Sequence, residues 1–396
     1  MKNLIIITCI LLTCPSGLFA QSNIDSVLFR IERNNKTLMA LRENAEAEKI
    51  GNKTGLFPAN PEAGFHYLQG YPEEMGNRTD ISISQSFEFP TVYIYKSQIS
   101  DSENRKVDFK YAAEKKTLLL NAHLLLYDLV YLNAMEAELS KRFDHASSIS
   151  DSYQSKFNSG EATILELNKA KLNLLNASKK LESIRIQRAS LLEKLMTLNG
   201  GEKIVFTDTM FSLPDIPENF EEWYERVEKA NPMLNWLREE ITLTEKQVKL
   251  NRAGTLPDFN AGYMSEKVAG EQFRGLMFGI SIPLWEDKNK VKHAKARTEA
   301  ARTLIKDHKL HYYSNMKRLH SKTSSLLKNV KEYRVELEML DHTNLVLKAL
   351  NSGEISLIDY ILELGIYYKS FERLLQMEKE LNKSHAELMK YIKYPA

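Results

Sequence analysis

The sequence predicts an α+β membrane protein: long α-helical coiled-coil hairpins that carry four β-strands per chain. Three observations support this class. Two stretches, 91–159 and 285–352, contain neither Gly nor Pro, and each would run roughly 100 Å if fully helical at 1.5 Å per residue. Apolar residues recur at every seventh position along them, the signature of helices that supercoil on their neighbours. Four shorter segments alternate apolar and polar side chains with the period of two that a half-buried strand requires.

The first element is a leader. Met1-Lys2, an apolar run over 4–12 and Ala20-Gln21 form the pattern of a secretory signal peptide over 1–20. The apolar run is too short to cross a bilayer as a helix, and no later stretch approaches twenty apolar residues, so no membrane helix is expected. Both cysteines, Cys9 and Cys14, lie in the leader. The exported chain then has no thiol, which excludes a disulfide scaffold, Cys-ligated zinc, an iron–sulfur centre and a Cys nucleophile. Leu11-Leu12-Thr13-Cys14 approaches a lipoprotein signal, but Thr before the cysteine and Pro after it fit one poorly. The 54 basic and 52 acidic side chains nearly cancel, which excludes a nucleic-acid partner held by bulk charge.

The rest is one unit written twice. Asn158-Ser159-Gly160-Glu161 recurs as Asn351-Ser352-Gly353-Glu354, an offset of 193, and Pro90 recurs as Pro283 at the same offset. Upstream the offset is 196, pairing Glu32 with Glu228 and Leu38, Leu41, Arg42 and Glu43 with Leu234, Leu237, Arg238 and Glu239. The repeats are assigned to 21–200 and 218–396, with Gly200-Gly201 and the Pro-containing segment up to Pro217 as a linker over 201–217.

Each unit opens with a helix, over 23–54 and 218–252. Two strands follow. In the first unit they are 62–71, with Phe65, Tyr67 and Tyr71, and 80–89, where Ile81, Ile83, Phe87 and Phe89 face one way and Asp80, Ser82, Ser84, Ser86 and Glu88 the other. In the second they are 257–266, with Phe259 and Tyr263, and 275–284, where Leu276, Phe278, Ile280 and Ile282 alternate with small residues. The loops are placed at 72–78 and 267–272. Two long helices then flank each Asn-Ser-Gly. Tyr111, Leu118, Leu125, Leu132 and Leu139 mark the first at heptad spacing. Leu167, Leu174, Leu181 and Leu195 mark the second, interrupted by Arg188, with Ala170, Ala177, Ile184, Leu191 and Leu198 three residues on. In the second unit the registers are Leu319, Leu326, Tyr333, Leu340, Leu347 and Tyr360, Tyr367, Leu374, Leu381, Leu388.

Four strands cannot close a barrel, and open strand edges in lipid are prohibitive. In an outer membrane several chains must therefore pool strands, and three would supply twelve. Strands of about ten residues have the length a tilted spanning strand needs. Tyr93, Tyr95 and Trp285 near the strand ends suit an interfacial girdle. Outside a membrane the same segments would be two soluble hairpins packed on helices.

The order helix, hairpin, long helix, Asn-Ser-Gly turn, long helix, repeated after a signal peptide, resembles the TolC-type outer-membrane efflux factors. The matching residues are Asn60-Pro61-Glu62, Ser84-Gln85-Ser86, Leu256-Pro257-Asp258-Phe259 and the run from Gly279 to Leu284, with Ile164-Leu165-Glu166 and Leu357-Ile358-Asp359 after the turns. The resemblance covers essentially the whole exported chain. It implies a homotrimer, with a 12-stranded β-barrel in the outer membrane and an α-helical tunnel in the periplasm. The implied function is that of a passive conduit of a tripartite pump. Its partners would be a periplasmic adaptor (membrane fusion protein), an inner-membrane transporter of the resistance-nodulation-division type and outer-membrane lipid, with no cofactor. The lack of any extension after Tyr394-Pro395-Ala396 is similar to the heavy-metal cation branch, while drug-efflux relatives also carry acids at the tunnel entrance.

The resemblance also assigns sites. Asn158, Ser159, Gly160, Asn351, Ser352 and Gly353 would form tips that dock the adaptor, beyond their plain reading as helix-ending residues. Asp359, and less directly Glu166, would line a constricted periplasmic aperture where a ring of acids favours cations. The family's further Asp is replaced by Leu362, and Glu363 stands one residue away. Acids on a coiled-coil flank are otherwise ordinary solvated charge. Ile81, Ile83, Phe87, Phe89, Leu276, Phe278, Ile280 and Ile282 would face lipid. His308, His311 and His320 lack the partners of a metal set, and no catalytic motif stands out, so the chain reads as non-enzymatic. The rival reading is an exported coiled-coil scaffold, or an adaptor-like protein, with no pore.

Overall fold

The computed structural model describes residues 23–285 and 288–394. The expected signal peptide, with Cys9 and Cys14, lies outside the described residues. In chain order the elements are α1 (Asn23–Asn34), α2 (Lys36–Gly51), β1 (Glu62–Leu68), β2 (Arg78–Phe87), α3 (Pro90–Ser159), α4 (Ile164–Leu198), α5 (Phe220–Ala230), α6 (Pro232–Ala253), β3 (Asp258–Val268), β4 (Glu271–Ser281), α7 (Lys290–Met339), α8 (Thr343–Ser352), α9 (Leu357–Leu388) and α10 (Lys390–Lys393).

The helix expected to open each unit is two helices. Asn35 and Asn231, related by the 196-residue offset, are 2% and 3% exposed and hold extended backbone with ψ of 119° and 111°. The Asn35 side chain accepts the Leu38 amide at 2.9 Å, and Asn231 accepts the Met233 amide at 2.9 Å. Asn is a favoured N-cap because its short side chain satisfies an amide that the first helical turn leaves open. The break turns each short first helix onto the long helix that follows. There Glu32 meets Lys115 at 2.9 Å and Glu228 meets Lys309 at 2.7 Å, which accounts for Glu at both equivalent positions.

The first long helix is continuous over 70 residues. It holds a stretch apolar and long enough to cross a membrane, contrary to the expectation that none comes close. That stretch is 67% buried, and it supplies Leu119, Leu126, Leu129, Met135 and Leu139 to the main core with Leu181, Leu191 and Leu195 of α4. The α4 registers read from sequence coincide with its buried residues Leu167, Ala170, Leu181, Ile184 and Leu191. Arg188, the heptad interruption, donates through Nε to Asn133 Oδ1 at 2.6 Å.

Asn133 also organises the linker. Its Nδ2 donates to the Phe206 and Asp208 carbonyls at 3.2 and 3.1 Å. The linker has no regular structure, but Ile204, Phe206, Phe211 and Ile216 are buried, so it is a strap bound across the helices. Gly200 begins it at φ 69°, so close to Asn34 that an added Cβ would lie 2.3 Å from the Asn34 carbonyl oxygen.

The first long helix of the second unit, α7, differs from its expected form. It starts at Lys290 and breaks between Met339 and Thr343. Asp341 Oδ1 accepts from the Thr343 amide at 3.1 Å and its hydroxyl at 2.8 Å, a local bond that competes with helix. Leu340, assigned to the heptad, is 65% exposed. The buried series is Met316, Thr323, Val330 and Leu337, resuming at Val346 and Leu350 where an unbroken heptad would reach 344 and 351, so the break changes the phase. On α9 the core residues Tyr360, Leu374, Leu381 and Leu388 follow the expected register.

The strands form one antiparallel sheet in the order β1-β2-β3-β4, and pairing of β2 with β3 joins the two units. The return strands begin and end earlier than expected. The β3–β4 loop is only Ala269-Gly270, with φ of 48° and 95°, the doubly left-handed turn that matches strand twist.

Candidate functional site: hairpin tips and sheet faces

The two tips are the same two-part device. Gly160 and Gly353 adopt φ of 81° and 79°, a left-handed conformation that favours glycine. The Glu161 amide donates back to the Lys156 carbonyl at 2.7 Å, and the Glu354 amide to the Ala349 carbonyl at 2.9 Å. Each Gly amide closes the carbonyl one residue further on, Phe157 or Leu350. These bonds satisfy the last carbonyls of the incoming helix. Three residues after each Gly, Thr163 or Ser356 starts the outgoing helix. Their hydroxyls accept the Glu166 and Asp359 amides at 3.2 Å. Those carboxylates accept the Thr163 amide at 2.7 Å and the Ser356 amide at 3.3 Å, completing a capping box.

The acids assigned to an aperture therefore have a local task as well. The Thr163 backbone amide, then its hydroxyl, holds the Glu166 carboxyl below the usual carboxylate range. Asp359 and Glu363 are exposed, and a Glu363 oxygen lies 3.8 Å from His342 Nε2. Thr163 and Ser356 escaped sequence reasoning, although Thr-x-x-Glu and Ser-x-x-Asp before an apolar run carry the signal. Of the other tip residues, Asn158 accepts from Gln154 at 3.1 Å, Ser159 and Ser352 donate to helix carbonyls, and Asn351 is exposed. Both tips share one core, in which Ile149, Tyr153 and Leu167 meet Val346, Leu357 and Tyr360. Above it Glu372 of α9 binds Arg142 of α3 at 2.6 Å and Lys180 of α4 at 2.5 Å. Burial pushes the Glu372 carboxyl up, but Lys180 and Arg142 win and hold it below its ordinary pKa.

At the far end the sheet register sorts side chains by face. Ala63 and Phe65 of β1, Ile81, Ile83 and Phe87 of β2, Phe259, Ala261 and Tyr263 of β3, and Leu276, Phe278 and Ile280 of β4 share one face. Gln85, the exception in the alternation, sits on it too and bonds the Ala59 carbonyl. The other face carries His66, Asp80, Ser82, Ser84, Ser86, Asn260 and Glu266. Phe89 and Ile282 fall just past the ends of β2 and β4. Trp285 is exposed nearby. His308 and His311 stand about one turn apart on α7; His311 lies 3.4 Å from Asp307, and His320 bonds the Pro217 carbonyl at 2.7 Å. Among the described residues no three His, Cys, Asp or Glu converge as metal ligands.

No protein-family model and no curated protein matches the sequence. Solved structures do. The CmeC outer membrane channel of Campylobacter jejuni superposes with a TM-score of 0.75 at 16% identity, covering 93% of this chain and 85% of that one. CusC, described in terms of transmembrane channel formation, gives 0.75 at 11% identity, covering 93% and 91%. A membrane protein of Pseudomonas aeruginosa gives 0.76 at 12% identity, covering 94% of both chains. Sheet, hairpins and strap together give this chain the fold of the TolC-type outer-membrane channels.

Proposed function

We propose that the chain is one protomer of a trimeric outer-membrane channel, the passive, non-enzymatic export conduit of a tripartite efflux pump. One observation carries this reading. A four-stranded sheet with open β1 and β4 edges stands at one end of the helical hairpins, apolar on one face and charged on the other. A lone sheet of this kind leaves edge amides unpaired and an apolar face wet. Three copies joined β1 to β4 make a closed barrel of twelve strands, apolar outward and polar inward. The α3–α4 and α7–α9 hairpins then extend through the periplasm as a tunnel. A pore-free scaffold gives that sorted sheet no use.

The tips are the docking surface for the periplasmic adaptor, which joins the channel to an inner-membrane transporter of the resistance-nodulation-division type. Both tips are capped at each helix end, so they present rigid, repeated turns through Asn158, Ser159, Gly160, Asn351, Ser352 and Gly353. Asp359, with Glu166 and Glu363, supplies acids at the aperture. The cargo class supported best is cationic, heavy-metal cations included, because acids also dominate the inner face of the sheet. The test is fractionation followed by planar-bilayer recording. A trimer extracted from outer membranes that gives stepwise conductance is the expected result. Recovery as a soluble periplasmic monomer would sink the proposal.

A further inference from the structure

Charge in the sheet is divided by sign between its faces. Every acid of the four strands, Glu62, Asp80, Asp258, Glu266 and Glu271, falls on the inner face by register. The cation there, Arg78, is paired with Asp80 at 2.9 Å and Glu266 at 3.2 Å. The apolar face carries two cations, Lys267 and Arg274, and no acid. Both are exposed. Arg274 Nη2 donates to Gln272 Oε1 at 2.6 Å, and Gln272 is the cross-strand partner of Lys267. No ion pair with a described residue engages either cation, in contrast to Arg78.

Their height is as specific as their face. Lys267 lies two residues before the Ala269-Gly270 turn, at the end of the sheet farthest from the helices. Below the two cations the same face is apolar: Tyr263 with Leu276, Ala261 with Phe278, Phe259 with Ile280. From Phe259 to Lys267 the strand runs roughly 27 Å at ~3.4 Å per residue, about 20 Å along the membrane normal at the usual tilt of ~40°, most of the height of a barrel's apolar band. A cation on the lipid face costs about 2–4 kcal/mol at the bilayer midplane and little at its interface. Position, sign and the lack of an ion pair with a described residue thus place both groups where lipid headgroups begin. The helices occupy the periplasmic side, so this interface belongs to the outer leaflet.

We propose that Lys267 and Arg274, with Gln272 between them, bind the phosphate of the phosphorylated glycolipid of the outer leaflet, one site per protomer. The proposal rests on the channel reading above. An ammonium and a planar guanidinium at the edge of hydrocarbon suit charge-assisted bonds to a phosphate dianion. The acyl chains of the same lipid would lie along Leu276, Phe278 and Ile280.

The test uses delipidated trimer, with bound lipid counted by native mass spectrometry and protection read by melting temperature. The ligands are phosphorylated lipid A, its dephosphorylated form, phosphatidylglycerol and inorganic phosphate. Lipid A should bind and raise the melting temperature, while the other three should not. Lys267→Gln with Arg274→Gln should cut lipid A retention about tenfold or more, the scale of a few lost charge-assisted bonds, and leave single-channel conductance unchanged. Lys267→Arg with Arg274→Lys should retain it. Equal retention by the Gln variant and the parent, or equal binding of dephosphorylated lipid A, would overturn the site while the channel reading stands. Equal binding of phosphatidylglycerol would overturn the assignment to the outer-leaflet lipid. A parent protein that forms no channel would remove the channel reading and this site with it.

Discussion

His123 on α3 is 1% exposed, with its ring stacked on Tyr127 and Nδ1 2.6 Å from the Tyr394 hydroxyl. Burial, more than Lys393 and His385 nearby, holds its pKa down to about 3. Burial pushes the Tyr394 phenol up, so a protonated phenol is hydrogen-bonded to a neutral imidazole. This contact, with Lys116 Nζ on the Tyr391 and Tyr394 carbonyls at 3.1 and 2.6 Å, anchors the chain after α9. The unfolded histidine titrates near 6.5, so below that pH the unfolded state binds more protons and stability falls toward pH 3. Melting temperature should therefore decline between pH 6.5 and 4.5, and His123→Gln, which keeps a neutral hydrogen-bonding group for Tyr394, should flatten the decline. His385 is shifted down by burial too, so some slope will remain, but an unchanged slope would exclude His123 as its source. Asp359 needs a different separation, because one carboxylate forms the observed cap and would also serve the proposed aperture. Ser356→Ala should cost about 1 kcal/mol of helix stability and leave divalent-cation block intact. Asp359→Asn should weaken the block and raise conductance. Equal effects of the two variants on the block would reduce Asp359 to a cap. At this scale the Asn-Ser-Gly turns were legible because Gly at a helix end has one dominant cause. Arg188 was legible only as a gap in a heptad, because its partner Asn133 lies on another helix.

Among elements, those written in local chemistry were read most closely and those decided by a few backbone angles least. Heptads on α4 and α9 predicted their buried faces because helix geometry alone fixes them. Asn35 and Asn231 were cap signals inside otherwise helical patterns, and Asp341-His342-Thr343 broke a stretch free of Gly and Pro by side-chain bonding. The strap was read as a plain connector, since its burial comes from helices it crosses. The β3–β4 hairpin shows the same limit. Gly and charge over 267–272 suggested a loop, yet two residues with positive φ suffice. Ala269 holds φ 48°, where a Cβ costs about 1 kcal/mol and Asn is better tolerated. Ala269→Asn should therefore raise the urea midpoint of sheet refolding in detergent by the equivalent of about 1 kcal/mol. Ala269→Val should lower it, since a β-branched residue rarely adopts that conformation. A midpoint raised by Val would mean that the turn is not doubly left-handed.

For the whole molecule, pairing of β2 with β3 unites the two hairpins in one sheet, and that pairing gives the chain two continuous faces, one acidic and one apolar. The sequence showed the alternation strand by strand, but not that both hairpins put acids on the same side, which depends on a register between segments far apart in the chain. Glu62, Asp80, Asp258, Glu266 and Glu271 share one face with Arg78, so the proposed closed trimer would have an acidic lumen. Such a lining concentrates cations and repels anions, and the effect reaches about 8–10 Å from each charge at 0.1–0.15 M salt but only ~3 Å at 1 M. In a potassium chloride gradient at neutral pH the reversal potential should therefore show potassium preference, shrinking as salt approaches 1 M. Glu266→Gln with Glu271→Gln should reduce that preference, because each protomer loses two inward charges and Arg78 loses one of its two partners. Lys267→Gln with Arg274→Gln should leave it unchanged, since those cations face away from the lumen. Chloride preference in the parent, or a shift caused by the outward pair, would mean that the two faces of the sheet have been assigned the wrong way round.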